Sequence, residues 1–203
     1  MRGPRVALVP LDPAEHEAAL YAAGHDGGDP RLWDHLPVGP FTREAFTPWL
    51  AACAASEDPR FMAILDAGGV ARGMCSFLRI VPEHGVIEIG HIWFGSALQR
   101  TAGATEAIFL LARRAFDELG YRRLEWKCNA ANARSRRAAQ RYGFAFEGVF
   151  RHHMVVKGHN RDTAWFALVD EDWPAARAGF ERWLAPENFD AGGRQRASLE
   201  TLR

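Results

Sequence analysis

The sequence predicts a single domain of mixed α/β class, in which one sheet has helices on both faces. Two features of the chain indicate this class. Three apolar runs in the first half are separated only by short turns, which is typical of an antiparallel meander. After them, segments with helical spacing alternate with apolar runs, which is the pattern of β-α-β crossovers. A chain of 203 residues, 48% of them hydrophobic, is long enough to bury a substantial core.

The chain begins with a predicted strand and a predicted helix. Residues 5–10 (RVALVP) form a short apolar run that ends at a proline. Asp12 followed by Pro13 is a favourable start for a helix, which we expect over residues 14–23. A glycine-rich loop, residues 24–30 (GHDGGDP), follows this helix.

A second helix follows an irregular segment. Residues Leu32–Phe41 include a tryptophan, two prolines and a glycine, which are too many breakers for regular structure. Thr42 is a good N-cap, so we expect the second helix to run from there toward Ala55.

The three apolar runs of the meander cover residues 60–66, 70–80 and 86–94. Ala67-Gly68-Gly69 separates the first two runs and indicates a hairpin turn. The third run reads VIEIGHIWF and places a glutamate and a histidine inside an otherwise apolar strand.

The crossover region contains the longest helical pattern. Apolar residues recur with helical spacing over residues 101–119, and Gly120 is expected to end this helix. Residues 122–128 (RRLEWKC) alternate between apolar and polar side chains, as a half-buried strand does. A short helix is expected next, over residues 132–142.

The last third of the chain predicts a strand pair and a helix. Residues 144–150 and 163–169 are apolar runs that we expect to pair antiparallel, joined by a polar loop around residues 157–160. A C-terminal helix is expected from Asp172 to about Leu184, and an extended polar tail from Pro186. We therefore divide the chain into a functional domain, residues 1–175, and a C-terminal helix with its tail, residues 176–203.

The composition limits the classes of partner. Lysine plus arginine and aspartate plus glutamate both count 25, so net charge gives no reason to expect a nucleic acid or a membrane as partner. Three widely spaced cysteines, Cys53, Cys75 and Cys128, predict reduced thiols and a cytoplasmic location instead of a disulfide framework.

The stretch LQRTAGATEA, from Leu98 to Ala107, has no bulky side chain after Arg100. It opens the longest predicted helix, where backbone N–H groups lack partners within the helix and the dipole is positive. Small residues there either let the helix pack closely or let a phosphate approach the backbone. Taken alone, the stretch fits both explanations.

Two motifs together carry a resemblance to a known family. Gln99-Arg100-Thr-Ala-Gly103-Ala-Thr105 resembles the acetyl-CoA loop of the GNAT N-acetyltransferase superfamily, whose usual pattern is Q/R-x-x-G-x-G/A. Asn132-Ala-Arg-Ser135, followed by Tyr142-Gly-Phe144, resembles the N-x-x-S…GF segment of the branch that acetylates protein N-termini, the ribosomal-protein type. The resemblance covers roughly residues 5 to 170 and implies a GNAT-like fold with a splayed central sheet.

The resemblance also implies which residues hold coenzyme A. The pyrophosphate would meet the backbone N–H groups of Arg100, Thr101, Ala102, Gly103, Ala104 and Thr105. The strand residues Ile92, Trp93 and Phe94 would splay from residues 122–128 and pair with the pantetheine arm. Asn132 would also bond that arm, and Ser135 would lie near the thioester sulfur. The 3′-phosphate would meet Arg136, Arg137 or Arg141; Arg137 is our first choice.

Transfer of an acyl group to an amine needs a proton acceptor, because an ammonium cannot attack a thioester. Glu88 is the first candidate, since burial in the apolar run VIEIGHIWF would raise its pKa; the structural alternative is that it faces solvent or pairs with an arginine. His91 is the second. In a regular strand these two side chains point to opposite faces, and a bulge near Gly90 would change that.

Ser135 is the candidate donor to the departing thiolate, although it can instead bond the helix backbone. Many members of the family carry a tyrosine four residues before the glycine of their GF pair. Ala139 occupies that place here, and we expect Tyr142 to pack instead of acting as the acid.

Four aromatic residues, Trp33, Phe41, Trp49 and Trp93, can either wall an acceptor pocket or belong to the core. We take Trp33 and Phe41 as the substrate-binding candidates, because their segment precedes the second helix. The histidines His152, His153 and His159 have no metal-ligand spacing with a carboxylate or cysteine, and His153 is the one that can lie near the cleft.

The sequence and the resemblance together predict an N-acetyltransferase. It would transfer an acetyl group from acetyl-CoA to a primary amine, a protein N-terminus or a small molecule, by direct attack through a tetrahedral intermediate. One alternative is another donor such as succinyl-CoA, and a second is a catalytically silent CoA-binding regulatory domain. We expect no metal, nucleic acid or membrane partner, and either a monomer or a homodimer.

Overall fold

The computed structural model describes residues 1–26 and 29–203. Two glycines of the predicted loop, residues 27 and 28, therefore lie outside the described residues. The strands are β1 Val6–Pro10, β2 Arg60–Asp66, β3 Ala71–Val81, β4 Val86–Phe94, β5 Arg123–Asn129, β6 Ala145–Val156 and β7 His159–Val169. The α-helices are α1 Pro13–His25, α2 Arg43–Ala55, α3 Ala102–Arg113, α4 Ala133–Arg141 and α5 Trp173–Leu184.

The described strands form one sheet in the order β1-β2-β3-β4-β5-β7-β6. Neighbouring strands are antiparallel except β4 and β5, which are parallel and are joined by the crossover through α3. The predicted mixed sheet, the meander and the crossover are all confirmed.

Helices cover both faces of this sheet, as predicted. On one face, α3 and α5 pack on a core that includes Ile87, Ile89 and Phe166. On the other face, α1 and α2 pack on a second core around Phe46, Met74 and Trp93. Ile87 and Ile89 of β4 face the first core and Trp93 faces the second, although all three are at odd positions, because the alternation of side chains is interrupted between Ile89 and Trp93.

Side-chain caps fix where four of the helices begin. The residue before each helix accepts a hydrogen bond from a backbone N–H of the first turn, which would otherwise have no partner. These caps are Asp12, Thr42, Thr101 and Asn132. The last two lie at the edge of the cleft described below.

Two elements differ in length from the prediction. The last strand pair is longer than expected, and β6 and β7 are joined by the two residues Lys157 and Gly158. The predicted helix 101–119 is α-helical only to Arg113, and Arg114–Glu118 form a π-helical turn. None of the described helices is long and apolar enough to cross a bilayer.

The segment after Pro186 is not the extended tail that the sequence predicts. Leu199 is fully buried within the core around α5. Asn188 exchanges hydrogen bonds with the backbone of Ala197, at 3.0 and 3.3 Å, and Trp183 Nε1 donates to Gln195 Oε1 at 2.8 Å. One buried leucine and a few side-chain bonds hold this segment, and such a pattern has no helical or strand period that a sequence reading could detect.

Candidate active site

The central feature of the molecule is a cleft where the two parallel strands separate. Strands β4 and β5 pair from Val86 with Arg123 to Ile89 with Trp126, and beyond that point they no longer bond each other. The cleft there has a volume of about 1140 Å³. Ile92, Trp93 and Phe94 line one side and Lys127 to Asn129 line the other. This is the splayed geometry that the resemblance implies.

A β-bulge at His91 changes the parity of β4. Met74 of β3 lies opposite Trp93, whereas Ser76, two residues on, lies opposite Gly90, so β4 contains one residue more than its partner here. His91 has a φ of 50°, in the left-handed region that non-glycine residues rarely adopt. As a consequence, both Glu88 and His91 line the cleft.

Glu88 is buried and is held by two cations. Its carboxylate Oε2 is 2.8 Å from Lys127 Nζ and 3.3 Å from Arg79 Nε. Burial raises the pKa of Glu88, and the ion pairs with Lys127 and Arg79 oppose that shift without cancelling it. Glu88 is therefore a desolvated carboxylate in the cleft that also pairs with an arginine, and it does not face solvent.

His91 is held against Ser76, whose Oγ lies 2.9 Å from His91 Nδ1 and 3.1 Å from the carbonyl oxygen of Gly90. Because that carbonyl can only accept, the Ser76 hydrogen goes to it, and Nδ1–H of His91 donates to Ser76. This assignment leaves Nε2 of His91 unprotonated. Burial, and next the charge of Arg161, lower the pKa of His91.

The geometry at the start of α3 bears on both explanations for its small residues, which are close packing of the helix and approach of a phosphate to the backbone. Arg100 has a φ of 60° and lines the cleft with Thr101, Ala104 and Thr105. The Thr101 side chain accepts from Ala104 N at 3.3 Å. A Cβ on Gly103, by contrast, would lie 3.0 Å from Val6 Cγ1, so Gly103 lets the helix pack on β1.

Backbone amides remain available at this helix start. Ala102 and Gly103 occupy the first two helical positions, where an α-helix supplies no acceptor for the N–H. Within residues 1–26 and 29–203, no hydrogen bond to these two amides or to that of Arg100 is formed. The stretch that opens α3 thus leaves these N–H groups without an acceptor among the described residues, next to Arg100 and Thr101, which line the cleft.

Among the three arginines considered for the 3′-phosphate, Arg137 and Arg141 line the cleft, as does Arg134 at the start of α4. Arg141 donates to Thr105 Oγ1 at 3.1 Å and lies 4.8 Å above the Trp183 ring. Arg136 turns away, where it donates to the carbonyl of Ala130 at 3.3 Å. Of the three arginines that the sequence left open for the 3′-phosphate, the two that line the cleft are therefore Arg137 and Arg141.

The first turn of α4 brings Asn132 and Ser135 to the cleft. Asn132 Oδ1 accepts from Ser135 N at 3.0 Å, so the amide oxygen caps the helix. Ser135 Oγ accepts from Trp126 Nε1 at 2.9 Å and lies beside Cys128, whose pKa is raised by burial. The hydroxyl of Ser135 keeps its own hydrogen for donation.

Tyr142 packs, as predicted. Its ring is buried and stacks on Phe180 with centroids 6.0 Å apart. Burial raises the pKa of its hydroxyl, which lies close to Arg141 and Thr105.

The prediction that Trp33 and Phe41 wall the acceptor pocket needs a correction, because neither residue lines the cleft. The Trp33 side chain is buried, its Nε1 donates to the carbonyl of Gly24 at 3.0 Å, and its ring meets Phe41, Trp49 and Trp93. Burying aromatic rings against one another in a core stabilises the fold more than exposing them on the wall of an open cleft. The same segment still borders the cleft through Arg31, Leu32, Asp34, His35, Leu36 and Pro37.

Three cleft residues were missed by the sequence reading: Lys127, Arg79 and Arg161. Lys127 is buried, although lysine is seldom found inside, and it bridges Glu88 and Glu125 at 2.8 and 2.6 Å. The alternation of RRLEWKC places Glu125 and Lys127 on one face, which was a usable signal. Nothing in the sequence marks Arg161. His153 lines the cleft, with Nδ1 2.9 Å from Thr163 Oγ1.

The described residues contain no group of three or more histidine, cysteine, aspartate or glutamate side chains that could hold a metal ion. All three cysteines are buried thiols, and burial raises the pKa of Cys53 to about 11. Neither a metal ligand set nor an activated thiolate is found there.

Comparison with known proteins agrees with this geometry. Residues 5–145 match the acetyltransferase (GNAT) domain family. A GCN5-related N-acetyltransferase from Brucella melitensis has 47% sequence identity and a TM-score of 0.97, with 99% of this chain and 92% of that chain covered. The microcin C7 self immunity acetyltransferase MccE, solved in complex with acetyl-CoA and AMP, has a TM-score of 0.69 over 82% of this chain and 93% of that chain; at 20% identity the likeness shows the fold alone.

A curated relative is more distant. The Bacillus subtilis (strain 168) protein named "Putative ribosomal N-acetyltransferase YdaF" is 29% identical over 101 residues, which are 50% of this chain. The matching region spans 55% of that relative, about half of its length. The family match extends over more than half of the chain, and it agrees with the strand order and the cleft. The chain therefore belongs to the GNAT acetyltransferase family.

Proposed function

We propose that this protein transfers an acyl group, first of all acetyl, from acyl-CoA to the primary amine of a small molecule or a peptide N-terminus. The observation that carries the proposal is the gap between β4 and β5. The cleft at this gap is lined both by Arg137 and Arg141 of α4 and by Glu88 and His91 of β4. A thioester bound from one side can thus meet an amine that enters from the other.

The residues present fit coenzyme A as co-substrate. The amides of Ala102 and Gly103 and the side chain of Arg100 suit a pyrophosphate, since helix N-termini and arginine both favour phosphate. Arg137 and Arg141, which line the cleft, would meet the 3′-phosphate. The edge of β4 that β5 leaves unpaired after Ile89 offers backbone groups to the amides of the pantetheine arm.

In the proposed reaction one bond forms, one bond breaks and the attacking nitrogen loses one proton. The neutral amine nitrogen forms a bond to the thioester carbonyl carbon, and the carbon–sulfur bond breaks. The nitrogen gives up a proton to a base, and the sulfur leaves as a thiolate that gains a proton. Acyl-CoA supplies the activated carbonyl; the chain supplies the base, the donor to sulfur and the orientation.

Glu88 is the first base in this proposal. Both cations approach its Oε2, so Oε1 is left to accept a proton. His91 is the second, through Nε2, and Ser135 is the donor to the sulfur. Direct transfer needs no covalent enzyme intermediate, and no activated nucleophile was identified among the described residues of the cleft.

The experiment is mass spectrometry of a panel of amines and short peptides incubated with acetyl-CoA or with succinyl-CoA. The proposal expects a mass gain on at least one amine. Glu88→Gln should lower kcat by about 10²- to 10⁴-fold, the usual contribution of a general base, while CoA affinity stays unchanged by calorimetry. Glu187→Gln, an exposed carboxylate away from the cleft, is the control. CoA binding without acylation of any amine would favour a silent CoA-binding domain.

A further inference from the structure

Arg161 lines the cleft without an anionic partner. It lies on β7 opposite Met154 of β6. The pairing of β7 with β5 covers residues 163–169, so Arg161 precedes the paired part of β7 by two residues. Its Nε is buried and makes no hydrogen bond with any residue that the structure describes. Within the described part of the chain, its guanidinium forms no ion pair with any carboxylate. A buried arginine donor without an acceptor is costly, so this arrangement needs an explanation.

The other charges around Arg161 already balance one another. Glu88 pairs with Lys127 and Arg79, and Glu125 pairs with Lys127 and Arg123. Arg123 also pairs with Glu147, at 2.5 Å. Three carboxylates and three cations thus form one network on this face of the sheet. Arg161 is a further cation outside that network.

The position of Arg161 is on the side of the sheet where the base candidates lie. Thr163, Trp165 and Arg161 alternate on one face of β7, and Lys127 packs 3.9 Å from the Trp165 ring on that face. Arg161 is close enough to Glu88, His91 and Cys128 for its charge to act on their proton affinities. The buried Nε1 of Trp165 also lacks a partner, but Trp165 does not line the cleft.

We infer that Arg161 binds a carboxylate that one of the two substrates carries near its reacting group. This inference rests on the proposed acyl transfer. A guanidinium presents several N–H donors in a planar fork that matches a carboxylate, and partial burial strengthens the contact. The carboxylate comes either from the amine acceptor, as in an amino acid or an acidic peptide, or from an acidic acyl group such as succinyl.

The experiment compares matched substrates on the wild type and on Arg161→Gln. One arm uses acetyl-CoA with amines that differ only in a carboxylate, such as a dipeptide against its C-terminal amide, and Ser-Glu against Ser-Gln peptides. The second arm uses an uncharged amine with succinyl-CoA against acetyl-CoA. Arg151→Gln removes an exposed arginine from β6, outside the cleft, and is the matched control.

In one arm, we expect the wild type to prefer the carboxylated member. Arg161→Gln should then lower kcat/KM for that member by about tenfold or more and change the neutral member less than about twofold. The arm that shows this loss identifies the source of the carboxylate. An equal loss on charged and neutral substrates in both arms, or no loss in either, would overturn the inference.

A binding measurement separates this inference from the proposed function. N-acetylglycine and N-acetylglycinamide are titrated into the CoA-saturated protein, as are succinate and succinamide. A carboxylate that binds more tightly than its amide in the wild type, and equally in Arg161→Gln, supports the inference even if no acylation is found. Equal binding of acid and amide in the wild type speaks against it. If the glutamine variant does not fold, Arg161→Lys keeps the charge and should retain part of the preference.

Discussion

At the residue scale, the position of Glu88 and His91 shows how one inserted residue creates a site. A regular strand would send these side chains to opposite faces, and the bulge at His91 brings both to the cleft. Their pKa values then shift toward each other, since burial raises that of Glu88 and lowers that of His91. The acid limb of the wild-type rate profile is therefore expected above the ordinary pKa of a glutamate if Glu88 is the base, and below the ordinary pKa of a histidine if His91 is the base.

Arg79→Gln distinguishes the two bases. Loss of this cation partner raises the pKa of Glu88, so the acid limb of kcat/KM should move to higher pH if Glu88 is the base. Arg79 is about half exposed, so solvent screens the pair and the expected shift to higher pH is small. The measurement is the pH dependence of kcat/KM, with Arg151→Gln as the control. A limb that stays in place, and disappears in His91→Asn, would assign the base to His91.

At the element scale, the start of α3 combines two features: its small residues let the helix pack on β1, and its backbone supplies N–H groups without an acceptor. Gly103 lets the helix approach β1, and the amides of Ala102 and Gly103 form no hydrogen bond with any described residue. The two explanations that the sequence left open are therefore compatible. Thr101 connects them, because its side chain caps the helix and donates to the carbonyl of Leu98 at 2.7 Å.

The caps of α3 and α2 offer a matched pair of variants. Thr101 and Thr42 each accept from a backbone amide at 3.3 Å, but only Thr101 lines the cleft. Thr101→Ala and Thr42→Ala should each lower the free energy of unfolding by about 1 kcal/mol. Only Thr101→Ala should weaken CoA binding, measured by calorimetry. Unchanged CoA affinity in Thr101→Ala would argue against an anion site at this helix start.

At the scale of the whole molecule, the C-terminal segment completes the core and one end of the cleft. Leu199 is buried beside α5, and Gln195 lines the cleft and accepts from Trp183. Trp183 in turn lies under Arg141. The segment after Pro186 is thus coupled to the arginines proposed for the 3′-phosphate.

Leu199→Ala tests whether this segment contributes to stability. A fully buried leucine lost to alanine costs about 2–5 kcal/mol, whereas Val155→Ala, on a side chain that is 77% exposed, should cost under about 0.5 kcal/mol. Chemical denaturation of both variants measures the difference. An unfolding free energy that does not change in Leu199→Ala would mean that the tail is extended in solution.

The sequence by itself determined the order of elements, the mixed sheet, the two helix starts at the cleft and the presence of Glu88, His91 and Ser135. Hydrophobic period, caps and turn residues act over a few positions, so a linear reading detects them. Tertiary structure alone decided which cleft arginine has a buried Nε without a partner among the described residues, which aromatic rings pack in the core instead of lining the cleft, and where the tail packs. Those properties depend on contacts between residues far apart in the chain, such as Glu88 with Lys127 and Trp33 with Trp93, and no local pattern encodes them.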